Sequence, residues 1–170
     1  IKPIDFYDQL ASHGVNFFTG VPDSLLKEFC LCIDDRIPRD KHIITANEGN
    51  AVALATGYYL GQKSLPLVYM QNSGLGNAVN PFLSLCDPDV YSIPMLVMIG
   101  WRGEPGIKDE PQHKKQGEVQ LKLLDAIDMP FVIISKDDDQ FGMKISSIIE
   151  IAKNENRPAV VLIKKGTFEK

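Results

Sequence analysis

The apolar residues of this chain fall into short β-rich runs separated by longer segments of helical periodicity. Asp5 to His13 is predicted as a helix with Phe6, Leu10 and Ala11 on one side, and Val15 to Thr19 as a strand that stops at Gly20-Val21-Pro22. Asp23 or Ser24 is placed to cap the helix that follows, which runs to about Ile33. A strand from His42 to Ala46 leads into a helix beginning near Glu48, and Leu65 to Met70 forms the next strand. Gly74 to Leu85 is predicted as a helix interrupted by Pro81, and Ile93 to Ile99 as a strand buried on both faces. Gly117 to Met129 and Phe141 to Asn154 then read as helices, Phe131 to Ser135 and Ala159 to Ile163 as strands.

Repeated strand–helix alternation predicts an α/β fold: one parallel sheet of about six strands, covered by helices on both sides. The chain shows no repeat, linker or second unit, so residues 1–170 are expected to form one domain. In such a sheet ligands gather beyond the C-terminal ends of the strands. That rule selects the stretches at 20–24 (GVPDS), 47–50 (NEGN), 71–77 (QNSGLGN), 100–104 (GWRGE) and 135–139 (SKDDD).

Glu48 is the one acid in a long neutral neighbourhood, the next downstream being Asp87. The helix dipole favours a carboxylate at a helix start by ~0.3–1 kcal/mol, so capping alone would account for it. The helix it opens carries Ala51, Ala53, Ala55, Gly57 and Gly61, small residues that permit close approach by another backbone, a partner domain or a flat ligand. The pair Gly74-x-Gly76 begins like a dinucleotide fingerprint, but Val79 stands at the third glycine position and no acid ends a second strand roughly 20 residues on. Residues 103–117 are Gly- and Pro-punctuated with Ile107 as the only aliphatic, and are predicted as a loop long enough to be a lid or binding loop. Of the basic residues there (Arg102, Lys108, His113, Lys114, Lys115), Arg102 directly follows a buried strand. It is suited to bidentate pairing with an anionic group, while His113 is able to move protons near neutral pH.

Composition narrows the classes of partner. A net charge of -4 gives no electrostatic reason to expect nucleic acid or an anionic membrane. No apolar run approaches the ~20 residues that span a bilayer. Cys30, Cys32 and Cys86 have no paired spacing and no nearby His, so they read as small apolar residues in a reducing, cytoplasmic setting. The start at Ile1 rather than Met is expected of a piece of something longer, or of a processed chain.

Taken together, GVPDS, EGNAVALATGY (Glu48 to Tyr58), SGLGNAVNP (Ser73 to Pro81) and IPMLVMIG resemble, in order and spacing, the pyrimidine-binding domain of thiamine-diphosphate enzymes, decarboxylase branch. The resemblance covers nearly the whole chain and implies a three-layer α/β/α sandwich. The GVPDSLLK opening and the GWRGEPGIKDEPQHKKQG loop are most similar to the branch acting on phosphonopyruvate, with the sulfopyruvate branch second. The resemblance gives Glu48 the task of sharing a proton with N1′ of the cofactor's aminopyrimidine, work for which a carboxylate is suited. It assigns Gly20, Val21 and Pro22 to the wall by the cofactor, and Asn72, Ser73 and Gly74 to the same cleft. Ser24 matches a substrate-facing position. Asp23 stands where many relatives have Gly, open as a helix cap or a second acid. Arg102 and His113 are candidates for the anionic head of a small 2-keto acid.

The family also needs a pyrophosphate-binding domain, marked by Gly-Asp-Gly and Asn-Asn, which hold the Mg2+ that bridges the diphosphate. Neither motif occurs in this chain, and no metal ligand is assigned to it. The resemblance therefore implies half an active site, completed by a separate domain or subunit, and an oligomer. A nucleotide-binding domain and a non-catalytic scaffold are the alternatives of another class.

Overall fold

The computed structural model describes residues 1–170. Six strands alternate with six helices: α1 (Pro3–Ser12), β1 (Phe18–Gly20), α2 (Lys27–Arg36), β2 (His42–Ile44), α3 (Glu48–Gln62), β3 (Leu67–Gln71), α4 (Leu75–Pro81), β4 (Met95–Gly100), α5 (Pro111–Ala126), β5 (Phe131–Ile134), α6 (Phe141–Glu155) and β6 (Pro158–Ile163). All strands pair in parallel in the order β2-β1-β3-β4-β6-β5.

The side-chain period of two divides each central strand between two cores. Leu67 and Tyr69 of β3, Leu96 and Met98 of β4, and Val161 and Ile163 of β6 face a core closed by α1, α2 and α6, through Phe6, Phe29 and Ile148. Val68, Met70, Val97, Ile99, Val160 and Leu162 face the other, closed by α3, α4 and α5 through Val52, Ala78 and Leu124. The result is the three-layer α/β/α sandwich expected from the sequence. Every residue of β4 and of β6 is buried, the physical reason those strands read as unbroken apolar runs.

The order places β1 between β2 and β3, while α2 after β1 and α4 after β3 cover opposite faces. The chain therefore leaves β1 and β3 toward opposite faces of the sheet, which makes the rim between them the topological switch point where such folds bind ligands.

Three local expectations are corrected. Pro111 occupies the first turn of α5, so the helix starts there and not at Gly117, and His113 lies on it rather than in a loop. No side chain caps α2: its N-cap is Leu26, because Asp23 bonds the Leu25 amide in the turn before it. The segment predicted from Gly74 to Leu85 is three pieces, a 3-10 turn Asn72–Gly74, α4, and a π-helical turn Phe82–Cys86. Pro81 has no N–H to continue the ladder, and the wider turn takes over there.

Candidate active site

Helix α3 begins at the rim with Asn47 as its N-cap, in extended conformation, its side chain accepting the Asn50 N–H at 3.0 Å. Asn47 satisfies the helix end, so Glu48 does not cap. The Glu48 side chain instead lies across the rim against Gly74. A Cβ on Gly74 would stand 2.4 Å from Glu48 Oε1 and 2.5 Å from its Cγ, so only glycine leaves room for the acid. Asn77 Nδ2 donates to Glu48 Oε2 at 2.9 Å, whereas no donor of the chain reaches Oε1. The two helices can meet this closely because Gly49 also lacks a side chain, where a Cβ would lie 2.8 Å from the Asn77 carbonyl. That carbonyl is the one whose helical donor Pro81 removes. The Gly-x-Gly turn thus seats a carboxylate of this chain, which is not the use a dinucleotide fingerprint makes of it.

Two residues before Gly74, buried Asn72 ties β3 to β4. Its amide donates to the Arg102 carbonyl at 2.9 Å and its oxygen accepts the Arg102 N–H at 3.1 Å. Beyond this clamp the Arg102 guanidinium donates through Nε and Nη2 to both carboxylate oxygens of Asp109, at 2.8 and 2.5 Å, and through Nη1 to Ser24 Oγ at 2.8 Å. His113 Nδ1 lies 3.1 Å from the same carboxylate. Arg102 and His113 are therefore both held by one group, Asp109, that sequence reasoning did not single out, and Arg102 in turn carries the contact to Ser24. The bidentate fork of Arg102, offered by the sequence to an outside anion, is engaged by this acid. Arg102 foremost, then the Gly103 amide and His113, hold the Asp109 carboxyl well below the usual carboxylate range, and Asp109 in turn raises the Arg102 pKa.

Asp23 is a second acid beside this cluster, and only 6% exposed. Oδ2 accepts the Leu25 N–H at 3.0 Å, but Oδ1 is buried with no partner. Burial pushes the Asp23 carboxyl up, with the Leu25 amide and then Arg102 opposing. Gly20 ends β1, Val21 N–H donates to the Tyr69 carbonyl at 3.1 Å, and Pro22 is exposed at the turn. Ser73 Oγ accepts from Gln71 Nε2 at 2.6 Å within the 3-10 turn. The rim residues thus form two groups flanking Asn72–Gly74: Glu48 with Asn77, and Ser24 with Arg102, Asp109 and His113. A cleft of about 340 Å³ beside the Pro22–Ser24 turn is lined by Cys30, His42 and Tyr69 and includes neither Glu48 nor Arg102. No three His, Cys, Asp or Glu side chains are grouped so as to hold a metal ion, and no helix is long and apolar enough to cross a membrane.

A half-buried acid lies against a glycine turn at the switch point of a parallel sheet, the place where such folds bind ligands. The fold matches that of benzoylformate decarboxylase from Polynucleobacter necessarius with a TM-score of 0.68 at 16% identity, over 100% of this chain and 31% of that one. Residues 5–128 match the family described as thiamine pyrophosphate enzyme, N-terminal TPP binding domain. The chain is 36% identical to phosphonopyruvate decarboxylase of Streptomyces viridochromogenes, across 98% of its own length and 41% of that protein's. It is 33% identical to the sulfopyruvate decarboxylase alpha subunit of Methanococcus maripaludis, across 92% of its own length and 90% of the subunit's. This chain belongs to the N-terminal TPP-binding domain family of thiamine pyrophosphate enzymes. It spans less than half the length of the phosphonopyruvate decarboxylases it matches, 41% in each.

Two outcomes are expected. Gly74→Ala should leave the chain folded but drive the Glu48 carboxylate away from Asn77, visible in a crystal structure of the variant; an unmoved Glu48 would contradict the seating. For Asp23, the folded protein binds its proton more readily than the unfolded chain, so ionisation costs stability as pH rises from about 4 through the raised value. Asp23→Asn should therefore raise the melting temperature at pH 7, with the advantage shrinking to little below about pH 4, where the wild-type carboxyl is protonated in both states. Equal melting temperatures at pH 7 would count against a buried, unpartnered charge.

Proposed function

We propose that this chain is the pyrimidine-binding half of a thiamine-diphosphate-dependent 2-keto acid decarboxylase whose substrate is phosphonopyruvate. The observation that carries the reading is the Glu48 carboxylate seated on Gly74, with one oxygen held by Asn77 and the other left without a protein donor. That free oxygen fits the cofactor: a carboxylate oxygen at the rim can share a proton with the N1′ ring nitrogen and take it back. Asn77 fixes the carboxylate plane, so the shared proton sits on Oε1. When bound, thiamine diphosphate supplies the electron sink into which the carboxylate carbon's bonding pair passes as carbon dioxide leaves. Gly20, Val21, Pro22, Asn72 and Ser73 form the surrounding wall.

The pair of Ser24 and Arg102, with His113 beside it, then meets the anionic end of the substrate, and Asp23 is adjacent, its carboxyl pKa raised by burial. Magnesium and the diphosphate are held by a pyrophosphate-binding domain or subunit, in a homo-oligomer whose contacts include the small-residue side of α3. Ala53, Gly57, Leu60 and Gly61 are exposed there, which supports that side as a contact surface. Three free thiols fit a reducing, cytoplasmic setting. A second reading, the alpha subunit of a sulfopyruvate decarboxylase, is favoured by the 90% coverage of the Methanococcus maripaludis subunit.

The test combines this chain with its pyrophosphate-binding domain or subunit, thiamine diphosphate and magnesium, and measures carbon dioxide from each substrate. Release from phosphonopyruvate but not sulfopyruvate is expected; the reverse selects the second reading, and release from neither overturns both. In the same assembly Glu48→Gln should lower kcat at least about 100-fold while cofactor affinity falls far less. Near-normal turnover would remove Glu48 from the chemistry.

A further inference from the structure

Asp109 sits 7 residues after Arg102 on the connection leading to α5, with its side chain only 7% exposed. Five donors converge on it: Arg102 Nε and Nη2, the amides of Gly103 and Glu110, and His113 Nδ1. A carboxylate so supplied stays ionised and can only accept, so it fixes three things about its neighbours. It takes one whole edge of the guanidinium, leaving Nη1 as the end that faces Ser24. It requires the His113 proton on Nδ1, which leaves Nε2 as the ring's unengaged nitrogen. Because Ser24 Oγ accepts from Arg102, the Ser24 hydroxyl proton is free to donate outward.

We propose that Asp109 is the positioning residue of the anion-binding end of the site: it holds Arg102 edge-on and His113 in one tautomer, so that a phosphonate-type head is met by single donors from Arg102 Nη1 and Ser24 Oγ rather than by a guanidinium fork. The proposal rests on the reading of these residues as the substrate's anion receptor. Formal charge adds a consequence. Arg102 and Asp109 cancel, so the cluster recognises its anion by aimed donors in a partly buried site more than by net charge, a form of recognition sensitive to small displacements.

Asp109→Asn puts an amide N–H against the donors of Arg102 or His113 and breaks the arrangement. In the complete enzyme, the KM for phosphonopyruvate should rise about 10- to 100-fold, with kcat within about threefold and thiamine diphosphate affinity unchanged. An unchanged KM, or a joint loss of kcat and cofactor affinity, would overturn the proposal, the latter marking Asp109 as merely structural. Should the variant not fold, the 15N shifts of the wild-type His113 ring decide: an Nδ1–H tautomer is expected, and an Nε2–H tautomer would overturn it. The ring measurement needs no turnover, so it still reads the tether if phosphonopyruvate proves not to be a substrate.

Discussion

The site depends on a contact with no side chain on one partner: the Glu48 carboxylate lies where Gly74 would carry a Cβ. That contact fixes the start of α3 against the start of α4, and it requires Gly49 to be equally bare so that the helices can approach. Asn47 meets the needs of the helix end, which frees Glu48 from capping, and Asn77 orients it. The acid is thereby held at the switch point of the sheet by packing and one hydrogen bond, with an oxygen to spare.

The 3-10 turn Asn72–Gly74 stands between the two halves of the rim. Gly74 supports Glu48 on one side, and Asn72 clamps the Arg102 backbone on the other, joining the ends of β3 and β4. Arg102 then reaches Ser24 at the end of β1, so four segments far apart in sequence converge. Asp23 lies buried beside this convergence with one carboxylate oxygen left without a partner.

Much of the fold is legible in the chain because β4 and β6 are buried on both faces and read as continuous apolar runs. Glu48 stands out for a comparable reason, as a lone acid at a strand end before a helix of small residues. What escapes is what no period encodes. Pro111 is a helix-start signal masked by the Gly- and Pro-rich stretch around it, which makes residues 103–117 read as one loop. Asp109 is one acid in a charged run, and only the turn that brings it back onto Arg102 distinguishes it. Asn47 and Glu48 are adjacent, and sequence alone does not tell which of them caps.

The central claim, that Glu48 is the proton-sharing group of a cofactor gripped from the other side by a pyrophosphate-binding region, is tested most directly without any substrate. The measurement is the rate of hydrogen–deuterium exchange at the thiazolium C2 position of thiamine diphosphate bound in the complete enzyme, followed by NMR after rapid quenching. Exchange should be orders of magnitude faster with the wild-type chain than with Glu48→Gln, whose rate should fall toward that of the cofactor free in solution. Equal rates in the two proteins would contradict the account.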